Sequence, residues 1–267
     1  MSRRGRAVLA AALLGAVAGG CSPRGVEIAG ILPEGLLTGL VGHWTFDEGS
    51  GMTVHDSSGN GRDGTIAGNG WSWVSGKFGG ALSFGGPDLL GTGGDQVTVG
   101  QFPQATASFT VSAWLQFPAP DGGPTMPPTG TLVSTETQGG GWSLYLSLPT
   151  PTLPNPMNYD LLYPLPTPNQ YVYAYCTSCL IPDAWVHIAA VVDGGGGTAT
   201  LYVNGALARQ VPAAHAISPT LPTLYFGRWS GMGRYLIGAL DDVAIWNRAL
   251  VQEEIGLLEQ APVPAPM

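Results

Sequence analysis

The strongest constraint on the fold is a series of short segments whose apolar residues recur at every second position. Every odd-numbered residue from Phe109 to Phe117 is apolar, and residues 141–148 (GWSLYLSL) alternate in the same way. Because neighbouring side chains of a strand point to opposite faces, this spacing predicts strands with one buried face. Residues 185–192 (WVHIAAVV) are nearly all apolar, which is typical of a strand buried on both faces.

Turn-forming residues separate these segments. Glycine and proline number 41 and 23 of the 267 residues, without a collagen-like period. Asn204-Gly205 lies between the strand-like runs 198–203 and 206–211, and this dipeptide is a strong signal for a hairpin turn. Proline cannot donate to a sheet ladder, so the proline-rich stretches 118–128 and 149–168 are predicted to be loops or sheet edges.

A helical pattern occurs near the end of the chain, where apolar residues within 248–260 recur at helical spacing. We therefore predict an all-β domain over residues 41–260. Two antiparallel sheets would stack as a jelly-roll sandwich, and one short C-terminal helix would end the domain. Residues 261–267 are predicted to form a disordered tail.

The charge balance excludes one class of partner. Charged residues make up only 10% of the chain, with 10 Lys and Arg against 18 Asp and Glu. Three of those cations, Arg3, Arg4 and Arg6, lie in the first six residues, and Lys77 is the only lysine. No basic patch is left to neutralise phosphates, so a nucleic-acid partner is not expected.

The first residues have the pattern of an export signal. A basic start, an apolar stretch at 8–17 and small residues before Cys21 predict a signal peptide over residues 1–21. The end of this segment resembles a bacterial lipobox, although Ala18 stands where leucine is usual. We predict that Cys21 is lipidated and that residues 22–40 form a tether. The protein would then be exported and anchored to the outer membrane or cell surface by its lipid alone. Ordinary cleavage that leaves a free cysteine is the alternative.

The remaining cysteines are close together in the sequence. Three cysteines are present, so a lipid-bearing Cys21 would leave Cys176 and Cys179 in a CTSC segment. We predict a disulfide bond between them, because export exposes the chain to an oxidising compartment. A redox motif would need a βαβ context and a zinc site would need two further ligands at metal spacing, and neither is found nearby.

Several segments, in chain order, resemble one known family. The residues that carry the resemblance are 43–51 (HWTFDEGSG), 56–64 (DSSGNGRDG), 80–84 (GALSF), 109–114 (FTVSAW), 185–189 (WVHIA), 201–205 (LYVNG) and 238–250 (GALDDVAIWNRAL). Together they are similar to a laminin-G-like jelly-roll domain of the concanavalin A-like lectin/glucanase superfamily. The chain departs from the family in a longer, proline-rich segment at 118–182, and in Val251, which replaces the polar residue that usually caps the last helix.

One loop has the oxygen spacing of a cation site. Asp56, Ser58 and Asn60 stand at alternate positions before a glycine, and such side chains can surround calcium. The resemblance implies that Asp47 and Asp242 join them to hold a structural calcium ion. Adjacent strand residues point to opposite faces, so only Asp242 of the Asp241-Asp242 pair is expected at the site. The alternative for the loop is a turn whose side chains bond its own backbone.

The acidic residues do not have the pattern of the related hydrolases. Those enzymes place acids at alternate positions of one strand, so that two carboxylates flank the scissile bond. Here the acids form the adjacent pairs 47–48, 241–242 and 253–254. His187 lies within an apolar strand without a nucleophile beside it in sequence, which favours a structural role. No catalytic residue is predicted.

Tryptophan is the remaining indication of a ligand. Trp71, Trp73 and Trp229 lie in or near glycine-rich turns, where exposed rings can stack on sugars, although core packing is an alternative for each. Trp71 and Trp73 point the same way in an extended segment and are the preferred platform. The tryptophans expected in the core are Trp44, Trp114, Trp185 and Trp246.

These observations favour a non-catalytic, lipid-anchored binding module. We expect it to recognise a glycan or a surface protein through the loops and aromatic residues of the jelly roll. A glycoside hydrolase on the same scaffold and a structural envelope protein are the alternatives. Fold does not choose among them, because function depends on the site.

Overall fold

The computed structural model of the protein describes residues 34–87, 93–104, 107–118, 130–135, 141–147, 158–164, 171–176, 179, 181–213, 222–229 and 234–264. The predicted signal peptide, Cys21 and residues 22–33 of the predicted tether lie outside these ranges, as do residues 265–267 of the predicted tail. In the described ranges, no helix has the length and apolar character needed to cross a membrane.

The described residues form sixteen strands and one α-helix. In chain order these are β1 (Leu40–Trp44), β2 (Thr53–Val54), β3 (Gly64–Ala67), β4 (Ser72–Ser75), β5 (Gly80–Gly85), β6 (Gln96–Gly100), β7 (Phe109–Gln116), β8 (Gly130–Ser134), β9 (Ser143–Ser147), β10 (Asn158–Pro164), β11 (Tyr171–Cys176), β12 (Val186–Asp193), β13 (Thr198–Val203), β14 (Ala206–Pro212), β15 (Thr223–Phe226), β16 (Ile237–Trp246) and α1 (Gln252–Gln260).

These strands make two antiparallel sheets, which confirms the predicted sandwich. The first sheet has the order β14-β13-β12-β7-β16-β5-β4, with β1 paired to the second half of β16. The second sheet has the order β11-β10-β9-β8-β15-β6-β3-β2. Alternate residues of both sheets, such as Val111, Leu144 and Phe226, meet in one hydrophobic core. Because strands distant in sequence are neighbours in both sheets, residues from separate segments come together on each face.

The hairpin between β13 and β14 also agrees with its sequence signal. Asn204 and Gly205 join the strands with φ angles of 47° and 72°. Such positive angles match the twist of a two-residue hairpin turn and favour these two residues over branched ones.

One loop prediction is wrong. Residues 158–164, within the proline-rich stretch 149–168, form β10, which pairs with β9 on one side and with β11 on the other. No proline occurs between Pro156 and Pro164, so each of the intervening residues keeps its N–H for the ladder. Pro164 is tolerated because it is the last residue of the strand.

A second apolar layer covers the outer face of the first sheet. Helix α1 places Ile255 and Leu258 there, and a short 3-10 helix at Glu34–Leu37 adds Leu36, which is fully buried. The Trp246 indole donates to the Leu36 carbonyl at 2.7 Å. The last residues of the segment predicted as a tether therefore pack on the domain.

Helix α1 begins without a polar cap, as the sequence indicates. The N-cap residue is Val251, whose side chain makes no capping hydrogen bond. The Glu254 carboxylate compensates by accepting from the Val251 N–H at 3.0 Å and by pairing with Arg248. One orphan donor of the first turn is satisfied in this way.

Candidate functional site

Three carboxylates line one pocket in the first sheet, beside the point on β16 where the pairing with β5 ends and the pairing with β1 begins. Asp47 follows β1, and Asp241 and Asp242 lie within β16; together with Phe78 and Val263 they border a cavity of about 340 Å³. The expectation that only one of the adjacent aspartates faces this site is wrong. The register of β16 shifts between Asp241 and Ala244, and Asp242 has a φ of 47°. This bulge breaks the alternation and turns both carboxylates to the same cavity. We call it the carboxylate pocket.

The two aspartates have different surroundings. Both oxygens of Asp242 have partners, since Oδ1 lies 2.5 Å from His43 Nε2 and Oδ2 accepts from the Val263 N–H at 3.3 Å. Asp241 accepts from the Phe78 N–H through Oδ2 at 2.8 Å, whereas its buried Oδ1 has no partner among the described residues. Burial raises the pKa of Asp241 to about 7, and the neighbouring Asp242 carboxylate contributes in the same direction.

The predicted calcium loop is held by its own backbone. Asp56 accepts from the N–H groups of His43 and Ser58 through Oδ1 and from that of Arg62 through Oδ2. Asn60 donates to the Val41 carbonyl and to Ser58 Oγ. Burial acts to raise the pKa of the Asp56 carboxyl, but hydrogen bonds to the carboxylate hold this pKa below its ordinary value.

The structure thus divides the predicted ligand set. Asp47 and Asp242 share the carboxylate pocket, whereas Asp56, Ser58 and Asn60 are bonded within their loop and to β1. His43 lies between the two groups, with its N–H on Asp56 and its ring on Asp242. Within the described ranges, no group of three or more His, Cys, Asp or Glu side chains is arranged to hold a metal ion.

A serine and a histidine meet in the first sheet, but they are buried. Ser112 Oγ lies 2.8 Å from His187 Nε2, and the exposed fractions of these residues are 3% and 0%. Burial lowers the pKa of His187 to about 3, and the nearby Lys77 ammonium adds to the shift. The imidazole is therefore neutral at pH 7, and no substrate can reach it.

The predicted disulfide bond is present between Cys176 and Cys179. Cys176, at the end of β11, is buried at the margin of the main core, and Cys179 packs against the same core. Trp185 differs from its prediction, because it lies just before β12 and is only partly buried. Trp44, Trp114 and Trp246 are buried as expected.

Trp71 and Trp73 are in contact with each other at the edge of the sandwich. Their ring centroids are 6.4 Å apart at an interplanar angle of 82°, and both rings pack against the core. Trp73 Nε1 donates to the Gly51 carbonyl at 3.3 Å. They share one side, as their spacing indicates, but they meet edge to face and not as one flat platform. Their role in ligand binding remains a prediction.

Trp229 belongs to a larger cluster on the outer face of the second sheet. Leu224 and Phe226 of β15 point into the core, so Tyr225 points outward; Tyr145 of β9 does the same between Leu144 and Leu146. Two arginines lie over these rings. The cluster, which we call the aromatic–arginine patch, consists of Tyr145, Tyr225, Arg228, Trp229, Arg234 and Tyr235.

The rings hold both guanidinium groups. Arg228 Cζ lies 5.2 Å from the Tyr225 ring centroid and 5.8 Å from that of Tyr235. Arg234 Cζ lies 5.2 Å from the Tyr145 centroid and 5.3 Å from that of Trp229. These distances are within the range of cation–π attraction. The Trp229 indole Nε1 is buried without a hydrogen-bond partner in the described part of the chain.

A cleft adjoins the patch. Residues 67–70, 85–87 and 93–96 line a cavity of about 870 Å³, and most of them are glycines. Gln96, on its wall, accepts from Arg228 Nη1 at 2.5 Å, which joins the cleft to the patch. Asp95 supports the wall by accepting from the N–H groups of Gly70 and Gly85. Gly68 is required there, because a Cβ would lie 2.2 Å from Asp95 Oδ1. We call this cavity the glycine-walled cleft.

Sequence reasoning identified one residue of this patch and missed the others. A signal was available in residues 227–235 (GRWSGMGRY), where two arginines alternate with aromatic residues and glycines in a chain that is poor in cations. Tyr145 and Tyr225 carried no such signal, because each lies in an ordinary alternating strand.

Comparison with known proteins gives a family and several similar folds. A family model described as the concanavalin A-like lectin/glucanases superfamily matches residues 91–256. Domain 4 of AbnA, an extracellular arabinanase from Geobacillus stearothermophilus solved in complex with arabinotriose, has a TM-score of 0.63 at 20% identity, over 83% of this chain and 98% of that domain. No curated protein matches the sequence.

Binding domains of botulinum neurotoxins have similar folds. The binding domain of neurotoxin DC, solved in complex with SialylT, has a TM-score of 0.63 at 15% identity, over 84% of this chain and 52% of that one. The receptor-binding domain of type G has a TM-score of 0.61 at 14% identity, over 83% and 51%. The chain spans about half the length of these toxin domains. At such identities the likeness is one of fold.

Proposed function

Because the chain belongs to the concanavalin A-like lectin/glucanase superfamily, we propose that it is a non-catalytic module that binds a glycan on its second sheet. The aromatic–arginine patch and the glycine-walled cleft beside it are the proposed binding surface. The observation that carries the proposal is the pairing of partly exposed rings with an open cleft that contains neutral polar groups. Sugar sites combine such rings with a few placed polar groups.

The similar folds support a saccharide ligand. The arabinanase domain was solved with arabinotriose, and the binding domain of neurotoxin DC was solved with SialylT. A surface protein remains the alternative ligand. The export signal and the lipidated Cys21 complete the proposal, and they rest on the sequence of residues 1–21.

The positions of the carboxylates support binding over hydrolysis. A glycosidase needs two carboxyl groups facing the scissile bond, one of them able to give up a proton. Of the described residues that line the glycine-walled cleft, only Asp95 carries a carboxylate, and both of its oxygens accept from backbone N–H groups. The carboxylate pocket is bordered by residues of the first sheet, away from the patch.

The binding proposal is tested by substitution of Trp229. We expect Trp229→Ala to weaken binding to a retained polysaccharide by about tenfold or more, because an aromatic anchor of the proposed binding surface is lost. Retention on a panel of immobilised polysaccharides, followed by calorimetry with the retained one, measures the effect. Trp71→Ala is the matched control, since it removes an indole at the other predicted platform.

The outcomes separate the two platforms. Loss with Trp229→Ala and not with Trp71→Ala supports the aromatic–arginine patch. The reverse result would locate the site at the Trp71–Trp73 pair and contradict our assignment. Absence of retention by any polysaccharide would remove glycan binding and leave a surface protein as the ligand.

We also propose that the carboxylate pocket holds a structural calcium ion. The buried Oδ1 of Asp241 has no partner among the described residues, and hard oxygen donors are the ligands that calcium prefers. Asp241 and Asp47 would hold the ion, beside Asp242 with its two existing partners. The ion would offset the repulsion among three neighbouring carboxylates.

Calcium is therefore expected to raise the melting temperature of the protein. Saturation at about one hundred times the dissociation constant stabilises by about 2.7 kcal/mol. Asp241→Asn keeps an acceptor for the Phe78 N–H but is expected to lose most of this gain. Thermal unfolding in calcium and in chelator, for both proteins, measures the difference. A native protein indifferent to calcium would contradict the proposal, and an equal gain in the variant would exclude Asp241 as a ligand.

A further inference from the structure

We infer that the glycan bound at the aromatic–arginine patch is anionic and carries a carboxylate or a sulfate group on its sugar rings. This inference rests on the proposed function and names the class of its ligand. The patch brings together two guanidinium groups, Arg228 and Arg234, on a protein with a net charge of −8. Such a concentration of positive charge on an acidic protein needs an explanation.

Cationic side chains are scarce in the folded domain, and several of them are engaged in contacts outside the patch. From residue 34 onward the chain contains Arg62, Lys77, Arg209, Arg228, Arg234 and Arg248. Arg248 pairs with Glu254, Arg62 donates to the Val41 carbonyl, and Lys77 lies over the Trp114 ring. Arg228 and Arg234 instead lie on one surface, and charge pairing among the described residues does not account for their position there.

Neither arginine of the patch takes part in an ion pair among the described residues. Those pairs are His43 with Asp242, His55 with Asp63, and Arg248 with Glu254. Arg234 is exposed and lies against two rings. A ring face attracts a cation but leaves its N–H donors unsatisfied at the edge of the guanidinium plane. Arg228 already donates from Nε to the Trp229 carbonyl and from Nη1 to Gln96. The exposed guanidinium of Arg234 is therefore the main source of donors for a ligand.

The geometry suits an anionic sugar better than a neutral one. Each guanidinium group lies against two rings, which restrict its side chain, so little side-chain freedom is lost when an anion binds. A planar guanidinium donates two parallel hydrogen bonds to a carboxylate or a sulfate. The partly exposed Trp229 ring offers a surface for the sugar itself.

The adjoining cleft does not oppose an anion. The described wall residues with polar side chains are Asn69, Asp95 and Gln96. The Asp95 carboxylate is 1% exposed and is occupied by the N–H groups of Gly70 and Gly85. Gln96 already turns its oxygen to Arg228, so the cleft presents neutral groups beside the two cations.

The test compares pairs of polysaccharides that differ in charge alone. Polygalacturonate is compared with its fully methyl-esterified form, and chondroitin sulfate with its desulfated form, by calorimetry at two salt concentrations. The protein is expected to bind at least one charged form about tenfold or more tightly than the neutral partner. Higher salt is expected to reduce this preference, because exposed charges are screened. The pair that shows the preference identifies carboxylate or sulfate as the recognised group.

Substitutions assign the preference to the patch. Arg234→Gln is expected to abolish the difference between charged and neutral forms while thermal stability stays near that of the native protein, because Arg234 is exposed. Arg209→Gln removes the same charge from β14 of the other sheet and is expected to keep the preference. A preference equally reduced in both variants would indicate net charge and overturn the inference.

The failure of this inference is distinguishable from failure of the proposed function. Equal binding of charged and neutral forms, lost in Trp229→Ala, would overturn the anionic ligand and leave glycan binding intact. Failure to bind any member of either pair, or any neutral polysaccharide of the earlier panel, would overturn both.

Discussion

Replacing Asp56 with alanine is expected to lower the free energy of unfolding by about 3 kcal/mol, because three backbone donors would lose their acceptor. The carboxylate accepts from the N–H groups of His43, Ser58 and Arg62, and so joins the loop to β1. The loss is expected to be the same in calcium and in chelator, since both oxygens are already used by the backbone. Denaturant unfolding of both proteins under the two conditions measures it.

Asp56→Asn is the matched control for this prediction. The amide keeps one oxygen acceptor and loses the other, so an intermediate loss of stability is expected. A loss that occurs only when calcium is present would contradict our interpretation and restore the loop as a calcium site. The sequence left these alternatives open because a calcium loop and a backbone-bonded turn use the same residue types.

Acidification from pH 6.5 to 4.5 is expected to cost about 2–3 kcal/mol of stability through His187 alone. Burial lowers the pKa of this imidazole from 6.5 to about 3 in the folded protein, with Lys77 contributing. The unfolded chain therefore takes up the proton first as the pH falls. The contribution of His187 is complete above pH 6.5 and declines steadily towards pH 3. Urea unfolding at half-unit intervals of pH measures the slope.

A double variant isolates the histidine. Replacing His187 with leucine and its partner Ser112 with alanine removes both ends of the 2.8 Å contact, so neither polar group is left unpartnered by the other. We expect the double variant to lose about 2–3 kcal/mol less than the native protein over the same interval. An unchanged slope would show that other groups titrate there. Asp56 does not interfere, because its lowered pKa places its effect below its ordinary value of 3.8. Asp241, whose pKa is raised to about 7, gains its proton in the folded protein over the same interval and opposes the loss, so His187 is measured by the difference between the two proteins.

The strands were predictable where local pattern and burial agree. Phe109–Gln116 and Val186–Asp193 lie next to each other in the first sheet, and their apolar runs follow from that central position. The hairpin at Asn204-Gly205 was predictable because a two-residue turn depends only on the backbone angles of its own residues. Asn158–Pro164 was missed, because the prolines around it obscured a segment whose only proline is its last residue. This segment pairs with the neighbouring strands β9 and β11.

The candidate site was less predictable, for two physical reasons. At Asp241 and Asp242, a bulge overrides the alternation that otherwise assigns each residue to one face. At the aromatic–arginine patch, Tyr145 and Tyr225 come from β9 and β15, which are separated in the sheet by β8 and along the chain by many residues. Only the order of strands brings both rings to the arginines.

The sequence by itself determined the all-β sandwich, the hairpin, the short terminal helix and the family, because alternation, turn residues and ordered motifs are local properties of the chain. It also indicated the disulfide bond, which needs only two nearby cysteines. The tertiary structure decided which side chains share a surface. It placed Asp47, Asp241 and Asp242 at one pocket, bonded Asp56 to backbone, and gathered two arginines among four rings. Strand order and bulges determine which side chains come together, and both depend on pairing between residues far apart in sequence.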